Sequence, residues 1–128
     1  VDDRGRLVIV GLGVDVVDLA RFERAVTRTP RLKERLFAPD ELLVDGRERS
    51  LPSLAARFAA KEAAFKALGA NSGMRWVDLV VVQGPGGEPS LDLRGTAAER
   101  AAAIGATRVH VSMSHDAGVA TATVIAES

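Results

Sequence analysis

The sequence predicts a small α+β domain spanning residues 1–128, with a mostly antiparallel sheet packed on one long central helix. Three observations carry that prediction. An alanine-rich helical stretch, 53–69, sits mid-chain; apolar runs of strand length lie at 7–14, 76–82, 108–114 and 119–126; and only a short turn separates the last two. At 128 residues the chain suits one domain with its own core and is too short for two ordinary ones.

Composition narrows the function classes. Cysteine is absent, which excludes disulfides and fits a reducing cytoplasm. No apolar run approaches the ~18 residues of a membrane span, and Val1-Asp2-Asp3-Arg4-Gly5-Arg6 lacks the layout of a secretory leader. Lys plus Arg equal Asp plus Glu at 17 each, which argues against a wholesale nucleic-acid binder and makes any charged surface local. There is no internal repeat and no low-complexity linker.

The first strand, 7–14, is apolar on both alternating faces and reads as buried on both sides. Gly11 and Gly13 within it let the backbone approach another element, since a lone Gly-x-Gly lacks the third glycine of a dinucleotide fingerprint. Asp15 follows, by itself a residue of a strand-to-helix turn. Asp18 caps a helix over about 19–28 whose apolar stripe is Leu19, Phe22 and Val26, with Arg21, Arg24 and Arg28 nearly opposite. Thr29 and Pro30 suit the start of a second short helix. Between Ala20 and Phe37 six basic residues face only Glu23 and Glu34, a local positive surface fit for an acidic partner. With no Tyr and one Trp the chain offers few stacking platforms for single-stranded nucleic acid. Pro39 to Leu43 suggests a helical turn, and 45–50 a polar connection.

The central helix starts near Pro52 and Ser53 and closes at Gly69. At about 100° per residue, Leu54, Phe58, Phe65 and Leu68 fall in one stripe, with Lys61 inside it and Glu62 on its edge. An unpaired buried charge costs several kcal/mol, so this placement has two readings. Either Glu62 and Lys66 pair at i,i+4 while Lys61 snorkels outward, or the helix lines a cleft for a charged ligand such as a phosphate with a divalent metal. After the loop at Asn71 to Gly73 come a strand at 76–82, a glycine-rich turn at 84–89 without a Walker lysine, and a partner strand at 91–94. Thr96 to Glu99 reads as a capping box for a helix that Gly105 ends. The strands 108–114 and 119–126 form a hairpin about 115–118, with His110, Ser112 and Ser114 on one face. Ser114 and His115 can donate to a phosphate or satisfy turn backbone groups. Ser, His and Asp are adjacent here without the strand-turn-helix elbow of a hydrolase.

Three runs in order, Gly11-Leu12-Gly13-Val14-Asp15, Arg57-Phe58-Ala59-Ala60-Lys61-Glu62-Ala63 and Val109-His110-Val111-Ser112-Met113-Ser114-His115, are similar to the three motifs of the bacterial holo-acyl-carrier-protein synthases, the small 4′-phosphopantetheinyl transferases. The resemblance spans nearly the whole chain. Phe58, where the wider superfamily often has Trp, favours the short bacterial group. The resemblance implies the fold of that family and a homotrimer with active sites between subunits. It also implies transfer of 4′-phosphopantetheine from coenzyme A to a serine of an apo acyl carrier protein, releasing adenosine 3′,5′-bisphosphate, in fatty-acid or polyketide synthesis. Asp15 and Glu62 would be the Mg²⁺ ligands and Lys66, with Lys61, would neutralise phosphate oxygens. Arg57, Ser114 and His115 would meet other coenzyme A phosphates. Gly87 and Pro89 would lie against the adenine, by backbone and ring alone because Glu88 stands where the family often has a basic residue. Arg21, Arg24 and Arg28 would dock the carrier. The proton acceptor for the serine is left open between Glu62 and a water held by the metal. Two rivals remain at this level: an adaptor using the arginine face without catalysis, and a metal-dependent phosphohydrolase directing the same carboxylates at water.

Overall fold

Ser50 begins the long helix, its hydroxyl accepting from the Ser53 amide at 3.3 Å, and Pro52 sits in the first turn, where its missing N–H removes no helical bond. The helix therefore starts slightly before the expected point and runs Leu51–Leu68 (α4), ending at Gly69 with φ +121°. In the computed structural model, which describes residues 4–128, α4 lies on an antiparallel sheet of order β1-β7-β6. Its strands are β1 (Ile9–Asp18), β6 (Arg108–Asp116) and β7 (Val119–Glu127). Val1 to Asp3, part of the stretch read for a leader, lie outside the described residues.

The alanines of α4 explain how close this packing is. Ala59, Ala60, Ala63 and Ala64 are fully enclosed, and β1 meets them with glycine. A Cβ at Gly13 would lie 1.9 Å from the Ala63 carbonyl oxygen, and one at Gly11 equally close to that of Ala67. The Gly-x-Gly is thus a packing device, as its reading without a phosphate supposed. Gly13→Ala should cost about 3 kcal/mol through overpacking against backbone that cannot yield, measurable as a lowered urea midpoint with an unchanged slope.

Helix α1 (Leu19–Arg28) is capped by Asp18, which accepts from the Arg21 amide at 2.9 Å, and buries Phe22 and Val26. Helix α2 (Leu32–Leu36) starts after Arg31, because Thr29 is taken as the C-cap of α1. Helix α3 spans Pro39–Leu42. The expected polar connection is instead a small hairpin, β2 (Leu43–Val44) with β3 (Arg47–Glu48), turned by Asp45 and Gly46 at φ +52° and +77°. Trp76–Asp78 forms a 3₁₀ turn rather than strand, leading into β4 (Leu79–Gln83), which pairs with β5 (Pro89–Leu93). Helix α5 (Gly95–Ala103) lacks the expected capping box. Asp78 does that work from the 3₁₀ turn, its Oδ2 accepting from both the Thr96 amide at 2.9 Å and its hydroxyl at 2.6 Å. The β6–β7 turn is tighter than expected, Ala117 and Gly118 alone at φ +50° and +80°, so His115 belongs to the strand.

The expectation that the first strand is buried on both sides fails for a single chain. Gly13 and Val17 face α4, whereas Leu12, Val14 and Val16 are 60%, 52% and 60% exposed on the sheet's outer face. They stand opposite Ile125, Thr123 and Thr121 of β7. Along β4, Leu79, Val80 and Val81 are buried, while Val82 is 40% exposed. Among the described residues no helix is long and apolar enough to cross a membrane.

Candidate active site

Where β1 passes into α1, alongside α4, a cleft of about 540 Å³ opens. Asp15, Asp18, Arg21 and Glu62 form its polar side, and Phe22, Leu32, Leu36, Phe58 and Trp76 its apolar side. Every aromatic residue of the chain belongs to one series here, Phe37-Phe22-Phe58-Trp76-Phe65, with successive ring centroids 6.4, 5.6, 5.4 and 4.4 Å apart. Aromatic pairs at such spacings stabilise each other beyond simple burial, giving the carboxylates a firm wall.

Asp15 reaches the cleft because alternation along β1 turns it toward α4 with Gly13 and Val17, while Glu62 and Lys66 lie one helical turn apart on the facing side of α4. Lys66 Nζ donates to Asp15 Oδ1 and to the Val14 carbonyl, both at 2.9 Å. An ammonium has three donors, so one remains for a ligand. With Lys66 half exposed, this pair is worth about 1 kcal/mol or less, and an incoming phosphate can exchange it. Partial burial pushes the Glu62 carboxyl above the usual glutamate range, and the Asp15 carboxylate pushes it the same way, against the opposing pull of Lys66. Asp15, Glu62 and Lys66 thus lie together, the grouping that the resemblance implies. Lys66 takes Asp15 as its direct partner, in place of the Glu62 pairing that helical spacing alone suggested.

Lys61 is a correction. It is 0% exposed and neither snorkels nor lines the cleft. Its ammonium donates to Glu41 Oε1 at 2.7 Å and to the carbonyls of Trp76 and Leu79 at 3.0 and 2.5 Å. All three donors are used, leaving none for coenzyme A. Burial pushes its pKa down while the Glu41 carboxylate opposes the shift. Glu41 is the residue that sequence reasoning missed; a carboxylate in a four-residue helical turn gave no sign that it would be buried.

Arg57 lies about 140° around α4 from Glu62 and faces away from the cleft. Its Nη1 donates to Ser53 Oγ at 2.7 Å, a hydroxyl that Arg49 also approaches at 3.4 Å, while Nε and Nη2 are buried without a protein partner among the described residues. Burial first, and Arg49 second, push its pKa down to about 10, so it remains a cation at neutral pH. Ser114 and His115 are exposed at the end of β6, which β7 separates from β1. Two strand spacings, about 10 Å, therefore divide them from the strand bearing Asp15. Gly87 and Pro89 lie at the β4–β5 turn, also outside the cleft lining. One chain gathers the carboxylates and Lys66 but not Arg57, Gly87, Pro89, Ser114 and His115.

Arg21, Arg24 and Arg28 are exposed along α1, and Arg21 stands at the cleft rim. Among the described residues no three His, Asp or Glu side chains cluster as a metal cage. Two hard carboxylate oxygen donors beside an open cleft fit Mg²⁺, which commonly takes one or two protein carboxylates and completes its shell from water and substrate phosphate.

Residues 11–122 match the 4′-phosphopantetheinyl transferase superfamily. A holo-[acyl-carrier-protein] synthase of Beutenbergia cavernae is 56% identical over 94% of this chain and 99% of that protein. Among solved structures, the synthase of Neisseria meningitidis superposes with a TM-score of 0.84 at 31% identity, covering 94% of this chain and all of that one. The Helicobacter pylori synthase, solved in complex with coenzyme A, gives 0.78 at 31% identity over 90% and 98%.

Proposed function

The chain belongs to the 4′-phosphopantetheinyl transferase superfamily and is an enzyme of the holo-[acyl-carrier-protein] synthase kind, and from that premise we propose how its residues carry phosphopantetheine from coenzyme A to an apo acyl carrier protein. The serine oxygen of the carrier attacks the β-phosphorus of coenzyme A. A new P–O bond forms, the pyrophosphate P–O bond breaks, and adenosine 3′,5′-bisphosphate leaves as the serine proton is released. The observation that carries this reading is the presence of Asp15 and Glu62 in one cleft, with Lys66 bonded to Asp15 beside them.

Asp15 and Glu62 would hold Mg²⁺ in this reading, which would supply neutralisation of the pyrophosphate and of charge growing on the transferred group. Lys66 presents its remaining donor to a phosphate oxygen, where a fixed cation acts most strongly on developing charge. The apolar wall of Phe58 and Trp76 excludes water from that side. Arg21, Arg24 and Arg28 dock the acidic carrier beside the rim, so that its serine arrives over the carboxylate pair. Arg24→Glu should raise KM for the carrier about tenfold, steepest at low salt, and leave KM for coenzyme A unchanged in steady-state assays.

A homotrimer is part of this reading. Exposed Leu12, Val14 and Val16 give one chain an apolar sheet face that a second copy can cover. The placement of Arg57, Ser114 and His115 away from Glu62 is met if a neighbouring copy supplies them, with the two buried unpartnered donors of Arg57 suited to a coenzyme A phosphate. Gly87 and Pro89 remain assigned to the adenine. In this reading the enzyme works in the cytoplasm, in fatty-acid or polyketide synthesis.

The test is direct. Incubated with coenzyme A, Mg²⁺ and an apo carrier, the protein should add one phosphopantetheine to the carrier by intact-mass spectrometry, and chelation should stop it. Coenzyme A broken down with no gain on the carrier would mark a phosphohydrolase and overturn the proposal.

A further inference from the structure

Behind the cleft lies a buried ion pair that the transfer chemistry leaves unused. Lys61 and Glu41 are 0% and 1% exposed. Besides the Lys61 ammonium at 2.7 Å, Glu41 accepts the Ala38 amide on Oε1 at 2.9 Å and the Val81 amide on Oε2 at 3.0 Å. With the Trp76 and Leu79 carbonyls on the ammonium, one network ties together the α3 turn, α4, the 3₁₀ turn and β4. The Phe37 ring adds a face 5.4 Å from Nζ.

Such a network is an expensive way to fill a core. Apolar residues of similar volume often serve as well or better for stability, because two charges need not leave water. What the ionic version adds here is direction. Lys61 immediately precedes Glu62, so anchoring the Lys61 side chain fixes the rotation of α4 that turns Glu62 toward Asp15. Its bond to the Trp76 carbonyl fixes the residue whose ring packs on Phe58 and Phe65 in the cleft wall.

We infer that Lys61 is a positioning residue for the transfer: with Glu41 it sets the rotation of α4 and the seat of Trp76, and through them the geometry in which Glu62 acts. The inference rests on the transferase reading above. It gives Lys61 no contact with substrate.

The single tryptophan of the chain makes this testable apart from activity. The variants are Lys61→Met, Glu41→Gln and the two combined, with Val124→Ala, a core change on β7, as a control for lost stability alone. In the folded variants kcat should fall about tenfold to a hundredfold, as small misplacements of catalytic groups produce. KM for coenzyme A should change less than about twofold, and Trp76 emission should shift to the red. Val124→Ala should keep kcat and emission at a comparable loss of Tm. Wild-type kcat and emission in the folded variants would overturn the inference. So would a raised KM for coenzyme A with kcat and emission unchanged, which would make Lys61 a ligand. Should Lys61→Met fail to fold, Glu41→Gln decides: its amide oxygen can still serve the ammonium and the Ala38 amide, but its NH2 then faces the Val81 N–H and breaks that tie to β4. If wild-type protein loads no carrier, the proposed reaction fails, and the emission of these variants still tests the seat of Trp76.

Discussion

Glu62→Gln should lower kcat about a hundredfold to a thousandfold, the scale seen when one preorganised stabilising group is removed from a transition state, while leaving the free protein at least as stable near neutral pH. The second half follows from the sign of the Glu62 shift. Burial first and Asp15 second raise its pKa above the ordinary value of 4.5. The folded state then binds that proton more tightly than the unfolded state, so stability rises as pH falls through the window between the two values. Above that window the charge is a standing cost, which glutamine removes. Thermal melts should show Glu62→Gln at or above wild type at neutral pH, with the gap closing in acid. Mg²⁺ with coenzyme A should raise the wild-type Tm and not that of the variant.

Leu12→Glu should split the proposed homotrimer and abolish transfer together. The side chain is 60% exposed and stands opposite Ile125 on the outer sheet face, so the substitution costs a lone chain little. In a trimer it would bury three uncompensated carboxylates against an apolar surface, which costs several kcal/mol each. Light scattering should move from three chains to one with circular dichroism unchanged. Because Arg57, Ser114 and His115 do not lie with Glu62 in one chain, the monomer should lose transfer even at saturating coenzyme A. An active monomer would refute the shared site.

Much of this architecture is legible in local chemistry. Asp18 as a cap, Gly69 as a terminator and the alternation of β6 and β7 are decided by a few neighbouring residues, and they stand as the sequence implies. The Asp45-Gly46 pair was an available hairpin signal for β2 and β3. Other features depend on what the chain meets at a distance. Lys61 sits on the apolar stripe of α4 because Glu41, 20 residues earlier, is there to take its charge, and no helical wheel contains that partner. Asp78 replaces the expected cap of α5 from another element. The convergence of Asp15 with Glu62 was legible only through the resemblance of three motifs, since neither residue alone indicates a partner far along the chain. The exposed face of β1 carries the opposite lesson: an all-apolar strand announces burial on both sides without saying that its own chain covers only one.

Asp15 and Glu62 are proposed to hold one divalent ion against the pyrophosphate of coenzyme A. A crystal structure of the protein with coenzyme A and Mg²⁺ tests it most directly. One octahedral ion is expected, about 2.0–2.1 Å from an oxygen of each carboxylate and from the pyrophosphate. An ion bound elsewhere, or coenzyme A seated with those two carboxylates sharing no ion, would contradict it.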